Sequence, residues 1–262
     1  MSNPVFFVPP GSLDGLGAGA TATVTGSEGR HAATVKRLAA GEPVDLVDGR
    51  GVRGRGRVSH AEGDALAVVL DAVEREERAP YRLVLVQALA KGDRDELAAE
   101  AATELGVDAV VPWQAERSIV RWKGERAAKS LAKWRSVVAA AAKQSRRAWV
   151  PDVDEAHDGA ALTARISRAA LAVVLHEDAT APLGPVLEMF AKEAKNGAAP
   201  KDGEVLFVVG PEGGISPAEL TRFTDAGAQL ALLGPHVLRS STAGPAALAI
   251  AADRLGRWSG RS

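Results

Sequence analysis

The spacing of apolar residues divides the chain into two halves. Up to about residue 72, short β-rich runs at 5–8, 20–25, 43–47, 51–58 and 66–70 are separated by glycine-containing turns, with one short helix predicted over 27–39. Strands this short, with turns this frequent, predict a small barrel rather than βαβ units. From Tyr81 the rhythm changes. Unbroken apolar runs predict strands at 83–89, 107–111, 171–175, 205–209 and 230–233, and three- and four-residue periods predict helices at 93–105, 125–146, 160–167, 182–195 and 245–255. Strands apolar on both faces belong in a parallel sheet, so the second half is predicted to be α/β. The helix at 93–105 opens with an Asp93-x-x-Glu96 capping box and closes at Gly106. The charged, proline-ended segment 72–80 marks the boundary, giving domains 1–74 and 75–262. Residues 196–203, NGAAPKDG, read as a surface loop.

Three strand ends carry the chemistry. The strand at 205–209 runs into Gly210-Pro211-Glu212-Gly213-Gly214, after which Ser216, Pro217 and Glu219 form a capping box with proline at the first helical position. Open α/β sheets bind ligands at this carboxyl edge. The turn has no Lys-Ser/Thr pair and no GxGxxG spacing, and Glu212 repels phosphate, so a neutral or cationic ligand fits better than a nucleotide polyphosphate. Alternatively, the glycines serve only the turn. The strand at 230–233 leads into a second glycine-proline loop, Gly234 to Ala243, before a helix that Thr242 is predicted to cap with Pro245 in its first turn. The strand at 171–175 ends at His176-Glu177-Asp178. Adjacent strand residues alternate in direction, so these three offer no chelating face and no metal is expected.

Composition narrows the class. The chain has 262 residues, 46% hydrophobic, and a net charge of −1, enough for a packed core without an overall basic character. With no cysteine there is no disulfide framework, thiol nucleophile or thiolate metal site. The N-terminal residues lack a signal-peptide pattern and no apolar run nears the ~20 residues that span a bilayer, so a cytoplasmic protein without a membrane partner is expected.

The average charge hides local excess. Arg53, Arg55 and Arg57 alternate with glycines and so share one strand face, suited to a phosphate backbone or to a solvated edge strand; His31, Lys36 and Arg37 add to the same half. Between Arg117 and Arg147 lie ten Lys/Arg against one acid, Glu125, a local charge of +9. Most of it sits on one helix whose Leu131, Trp134, Val138 and Ala141 face inward. Bases without neighbouring acids predict an RNA surface that includes Arg117, Lys129, Lys133, Arg146 and Arg147. Trp113, Trp122 and Trp149 flank it, as stacking platforms or as core.

VGPEGGISPAEL followed by LGPHVLRSSTA resembles the paired signature of bacterial ribosomal RNA uridine-N3 methyltransferases of the SPOUT superfamily. The resemblance continues through HAATVKRL at 31–38, LVDG at 46–49, ELGV at 104–107, Glu116-Arg117, QSRR at 144–147 and LHE at 175–177, so it covers nearly the whole chain. It implies a PUA-like RNA-binding β-barrel followed by a trefoil-knotted parallel α/β domain. That domain would pair into a homodimer and bind S-adenosylmethionine, with 16S ribosomal RNA of the small ribosomal subunit, rather than DNA, as the partner. The implied cofactor residues are Leu175, His176 and Glu177; Gly210, Pro211, Glu212, Gly213 and Gly214; and Leu233, Gly234, Val237, Leu238, Ser241, Thr242 and Ala243. Arg239 is the candidate that stabilises the uracil anion, and Glu212 a second catalytic candidate. The chain departs from the family at Ser241, where an acid is common, so no carboxylate role attaches to that position. A SPOUT enzyme with another RNA target, or a non-catalytic ribosome-assembly factor, are the alternatives.

Overall fold

The computed structural model describes residues 3–197 and 203–259. The chain forms two compact units, one containing the chain up to Arg78 together with Ala142–Val150, the other Ala79–Ala141 and the chain from Pro151.

The first unit contains β1 (Val5–Phe7), β2 (Thr21–Val24), the short helix α1 (Gly26–Arg30) with a π-helical turn at His31–Val35, β3 (Pro43–Val47), β4 (Val52–Glu62) and β5 (Ala65–Arg75). Its sheet has the order β1-β3-β4-β5-β2, and all its pairings except β1 with β3 are antiparallel. The β4–β5 ribbon is longer than its apolar residues predict. Its far ends are held by charge: Arg55 pairs with Glu74 at 3.2 Å and Arg53 with Glu76 at 2.8 Å, so part of the charged segment 72–80 is strand. Register shifts at Arg55/Gly56 and Val58/His60 bend the ribbon over a core that includes Phe6, Leu13, Leu46, Leu66 and Leu70. The helix predicted to reach residue 39 stops earlier, because Arg37 adopts a left-handed φ of 53°.

Ala142–Val150 completes this unit. Gly51 N–H donates to the Ala148 carbonyl and Val150 N–H to the Gly49 carbonyl, both at 3.0 Å. A Cβ on Gly51 would fall 2.3 Å from the Trp149 ring, and its φ is +90°, so only glycine fits there.

In the second unit, β6 (Arg82–Ala88), α2 (Arg94–Glu104), β7 (Ala109–Trp113), α3 (Glu125–Gln144), β8 (Asp152–Val153), α4 (Gly159–Ile166), β9 (Leu171–Leu175), α5 (Leu183–Lys195), β10 (Glu204–Val209), α6 (Pro217–Asp225), β11 (Gln229–Ala231) and α7 (Ser240–Arg254) follow in order; the last turn of α3 belongs to the first unit. The six-stranded sheet has the order β11-β9-β10-β6-β7-β8, and every pairing is parallel. Val84, Val86, Val174, Val208 and Trp113 pack on one face with Leu162 and Ile166 of α4 and Phe223 of α6. The opposite face of β6 and β10 carries α7, which also packs on α2. Of the loop predicted at 196–203, residues 198–202 lie outside the described residues.

Two predicted caps are absent. Asp93 has φ −97°, ψ 18° and makes no side-chain cap; the buried Asp95 carboxylate instead accepts N–H bonds from Ala90 (3.3 Å) and Glu96 (2.9 Å). Helix α7 starts at Ser240, with Arg239 as N-cap, so Thr242 lies inside the first turn, its N–H bonded to the Arg239 carbonyl.

Gly244 is where α7 meets β6: a Cβ there would lie 2.6 Å from Leu85 Cδ1, whereas a Cβ on Gly184 of α5 meets nothing within 4 Å. Gly244→Ala should therefore lose about 1–3 kcal/mol from overpacking, while Gly184→Ala holds or gains stability. Urea midpoints of the two variants test this; equal midpoints would contradict the close seating of α7.

Candidate active site

Because β11, β9 and β10 are neighbours and parallel, the chain leaves all three at one edge. Their loops line a single cleft of about 820 Å³. Leu175, His176, Glu177, Gly210, Pro211, Glu212, Gly213, Gly214, Leu233, Gly234, Val237, Leu238, Arg239 and Ala243 all form part of its wall. Ser241 and Thr242 do not, since the first turn of α7 directs them elsewhere. The cleft also takes in Arg94, His236 and Ser240, which the sequence reading did not place in it, and Arg117, which it assigned to the RNA surface. A basic residue in the first turn of a predicted helix that follows a strand end was the available signal for Arg94.

The Pro211–Gly214 turn is held by groups from distant segments. Arg94 Nη1 donates to Glu212 Oε1 at 2.9 Å, and Arg117 Nη1 donates to the Gly213 carbonyl at 3.2 Å. Gly214 N–H closes the turn onto the Pro211 carbonyl at 2.9 Å with φ +72°. A Cβ on Gly210 would lie 2.7 Å from Ile215 Cγ1. These two glycines are thus required by the turn and its packing. A Cβ on Gly213 would point at Arg117, 3.4 Å away, so close approach to a ligand does not account for that residue.

Below the turn the predicted capping box is present, and it is buried. Ser216 Oγ accepts the Glu219 N–H, and Glu219 Oε2 accepts the Ser216 N–H, both at 3.1 Å. Glu219 Oε1 also accepts the Glu116 N–H at 2.8 Å, and Ser216 Oγ donates to Glu116 Oε2 at 2.6 Å. The segment that carries Arg117 is thereby fixed to the start of α6.

The two catalytic candidates differ in their surroundings. Glu212 is tied to Arg94 and is not the free acid that its place in the loop suggested. Arg239 is exposed, and among the described residues no carboxylate pairs with it. His176 Nδ1 accepts the Asp178 N–H at 3.2 Å, which turns the ring back onto its own loop. Among the described residues no group of three or more His, Asp or Glu is arranged to hold a metal.

The basic stretch is less bare than its sequence suggested, because acids from other elements reach it. Lys133 pairs with Glu96 at 2.7 Å, Arg135 with Glu155 at 3.4 Å and Lys143 with Glu28 at 2.5 Å. Arg53 is enclosed by Asp45 and Glu76 and donates to the Arg146 carbonyl, and Arg57 faces Asp71 at 3.9 Å. Lys36, Arg37 and Lys129 are exposed, with no ion pair among the described residues; Arg117, Arg55 and Arg146 are also exposed, Arg147 is half-buried, and His31 packs against Phe6. The tryptophans are engaged: Trp113 against Phe223, Trp122 against Trp134, and Trp149 beneath Arg78.

Beside Arg94, the Asp95 carboxyl is 5% exposed, and burial pushes its pKa from 3.8 to about 6. The folded state then binds the Asp95 proton more tightly than the unfolded chain. The resulting stability is full below about pH 3.8 and is lost as the pH rises through about 6. Asp95→Asn should remove that component, up to about 3 kcal/mol for two pKa units, flattening stability between pH 4 and 6 in urea titrations. An unchanged slope would place the ionisation elsewhere.

With this geometry in hand, comparison with known proteins is informative. An RNA methyltransferase domain family matches residues 77–252, and an RNA methyltransferase PUA domain family matches residues 24–71. Ribosomal RNA small subunit methyltransferase E of Mycobacterium tuberculosis is 44% identical over 92% of this chain and 89% of its own length. The protein of that name in Bacillus subtilis is 30% identical over 85% and 86%. Among solved structures, ribosomal RNA small subunit methyltransferase E from Neisseria gonorrhoeae, bound to S-adenosyl methionine, superimposes with a TM-score of 0.78 at 28% identity, covering 96% of this chain and 98% of that one.

Proposed function

Since the chain belongs to the ribosomal RNA small subunit methyltransferase E family, we propose that it transfers a methyl group from S-adenosylmethionine to N3 of a uridine in 16S ribosomal RNA. The protein is an S-adenosylmethionine-dependent methyltransferase of small-subunit ribosomal RNA. The uracil N3 as acceptor and the residue roles below are our reading. The observation that carries it is the Arg239 guanidinium, with no carboxylate partner among the described residues, on the wall of a cleft built from three adjacent strand ends.

The cleft suits the cofactor. Leu175, Leu233, Val237 and Leu238 offer apolar walls, the strand-end backbone offers donors and acceptors, and Glu177 and Glu212 supply negative charge for a sulfonium. Bound there, S-adenosylmethionine supplies an electrophilic methyl group. Uracil N3 carries a proton that must leave before or during attack, and the exocyclic oxygens O2 and O4 then share the negative charge. Arg239 cannot act as the base, because its guanidinium stays protonated; it stabilises that charge. Glu212 takes the proton if it leaves Arg94, and solvent takes it otherwise. Ser241 has no carboxylate to contribute.

The same reading extends to architecture and partners. It includes a barrel closure of the PUA-like unit, a trefoil-knotted path through the strand-end loops, and a cytoplasmic homodimer formed through the second unit. Val237, 79% exposed, and Leu238 are apolar and uncovered, which supports a protein partner at that rim. Lys36, Arg37 and Lys129 are the exposed cations best suited to RNA phosphates.

Purified protein, S-adenosylmethionine and small subunits lacking the modification should yield 3-methyluridine by nucleoside mass spectrometry; methylation on another atom would overturn the assignment. In the same assay Arg239→Ala should keep cofactor affinity within a few-fold while single-turnover methylation falls about 10²- to 10³-fold, the cost of one preorganised donor. Raising the pH should restore part of that rate. Loss of cofactor binding with a normal rate at saturation would make Arg239 a pocket residue instead.

A further inference from the structure

At the cleft's inner edge, Ser240 opens α7. It is 9% exposed and lines the cleft, yet its Oγ has no hydrogen-bond partner among the described residues. The backbone beside it is equally uncommitted. Thr242 and Ala243 N–H groups both return to the Arg239 carbonyl, at 2.8 and 3.0 Å, which leaves the first two N–H groups, those of Ser240 and Ser241, without an acceptor inside the helix. A fifteen-residue helix adds partial positive charge at this end.

Buried polar atoms are normally satisfied, so the unpartnered Ser240 hydroxyl on the cleft wall marks a place where a ligand atom completes the bonding.

The leading N–H groups of Ser240 and Ser241 can only donate, the Ser240 hydroxyl can turn its hydrogen toward an acceptor, and the Arg239 cation is adjacent. Such a seat takes an acceptor oxygen that gains negative charge and rejects an amino group, which would set donor against donor. We propose that Ser240, with the leading N–H groups of α7, is the specificity-determining seat for the O4 carbonyl of the target uracil, and that it strengthens its hold as N3 ionises. Cytosine carries an amino group at that position and is excluded. The N3 proton leaves to Glu212 or solvent, the S–CH3 bond breaks as the N3–CH3 bond forms, and the charge on O4 is cancelled in the product. This rests on the uracil-N3 reading above, and Arg239 alone does not supply it, because a guanidinium in solvent does not select between bases.

The test compares the wild type with Ser240→Ala and Ser240→Thr, full-length, on small-subunit RNA transcribed with uridine or with 5-fluorouridine, whose N3–H is more acidic. Ser240→Ala should slow single-turnover methylation of uridine RNA about 10- to 100-fold. Its S-adenosylmethionine Kd by calorimetry should stay within about two-fold, its pH–rate profile should move upward, and the defect should shrink to under about three-fold on 5-fluorouridine RNA. Ser240→Thr, which keeps the hydroxyl, should recover most of the rate. A weakened cofactor Kd with a normal saturated rate would give this seat to the cofactor's carboxylate. Equal slowing on both RNAs, or no slowing at all, would overturn the proposal. A product other than 3-methyluridine from the wild type would instead sink the reading on which the proposal rests.

Discussion

The site depends on one constraint: β11, β9 and β10 lie side by side and run the same way. Parallel neighbours must release their chains at a common edge, so three loops far apart in sequence are delivered to one place without further design. Each then needs only local chemistry to hold its shape. Gly214 supplies a left-handed turn, Gly210 yields to Ile215, and the Ser216–Glu219 box satisfies the start of α6.

Side chains from the β6 and β7 side finish the enclosure. Arg94 and Arg117 reach the Pro211–Gly214 turn from α2 and from the segment after β7, and the hydrogen bonds of Glu116 to the buried Ser216 and Glu219 fix the second of these. The Arg94–Glu212 pair is exposed enough that it contributes little stability and can be exchanged for a substrate contact. Among the described residues no carboxylate pairs with Arg239. In a site meant to stabilise a developing anion, that imbalance is the useful property.

Features set by neighbours in the chain were legible in the sequence. The apolar runs located five of the six described sheet strands of the second unit to within a residue or two, missing the two-residue β8, and Ser216, Pro217 and Glu219 announced the start of α6 because a capping box is a local event. The Asp93 and Thr242 caps were misread for the same locality: each residue has the right chemistry, but its backbone conformation is decided by packing around Asp95 and α7. Long-range features were hidden. Nothing in the segment 142–150 says that it joins the first unit, and a linear count of +9 does not reveal that Glu28, Glu96 and Glu155 lie opposite Lys143, Lys133 and Arg135. Ser240 gave no signal, because a serine in a glycine-proline loop is ordinary until its burial is known.

The central claim is that the three strand-end loops form one cofactor site. Calorimetric titration of S-adenosylmethionine into Ala243→Trp tests it most directly, with Met189→Trp on the exposed face of α5, outside the cleft, as control, since the indole from position 243 would fill the cleft. The account predicts that Ala243→Trp loses binding by at least about ten-fold, a cost of roughly 1.4 kcal/mol, at an unchanged melting temperature, while Met189→Trp binds within a few-fold of the wild type. Undiminished binding by a folded Ala243→Trp would place the cofactor elsewhere and contradict the account.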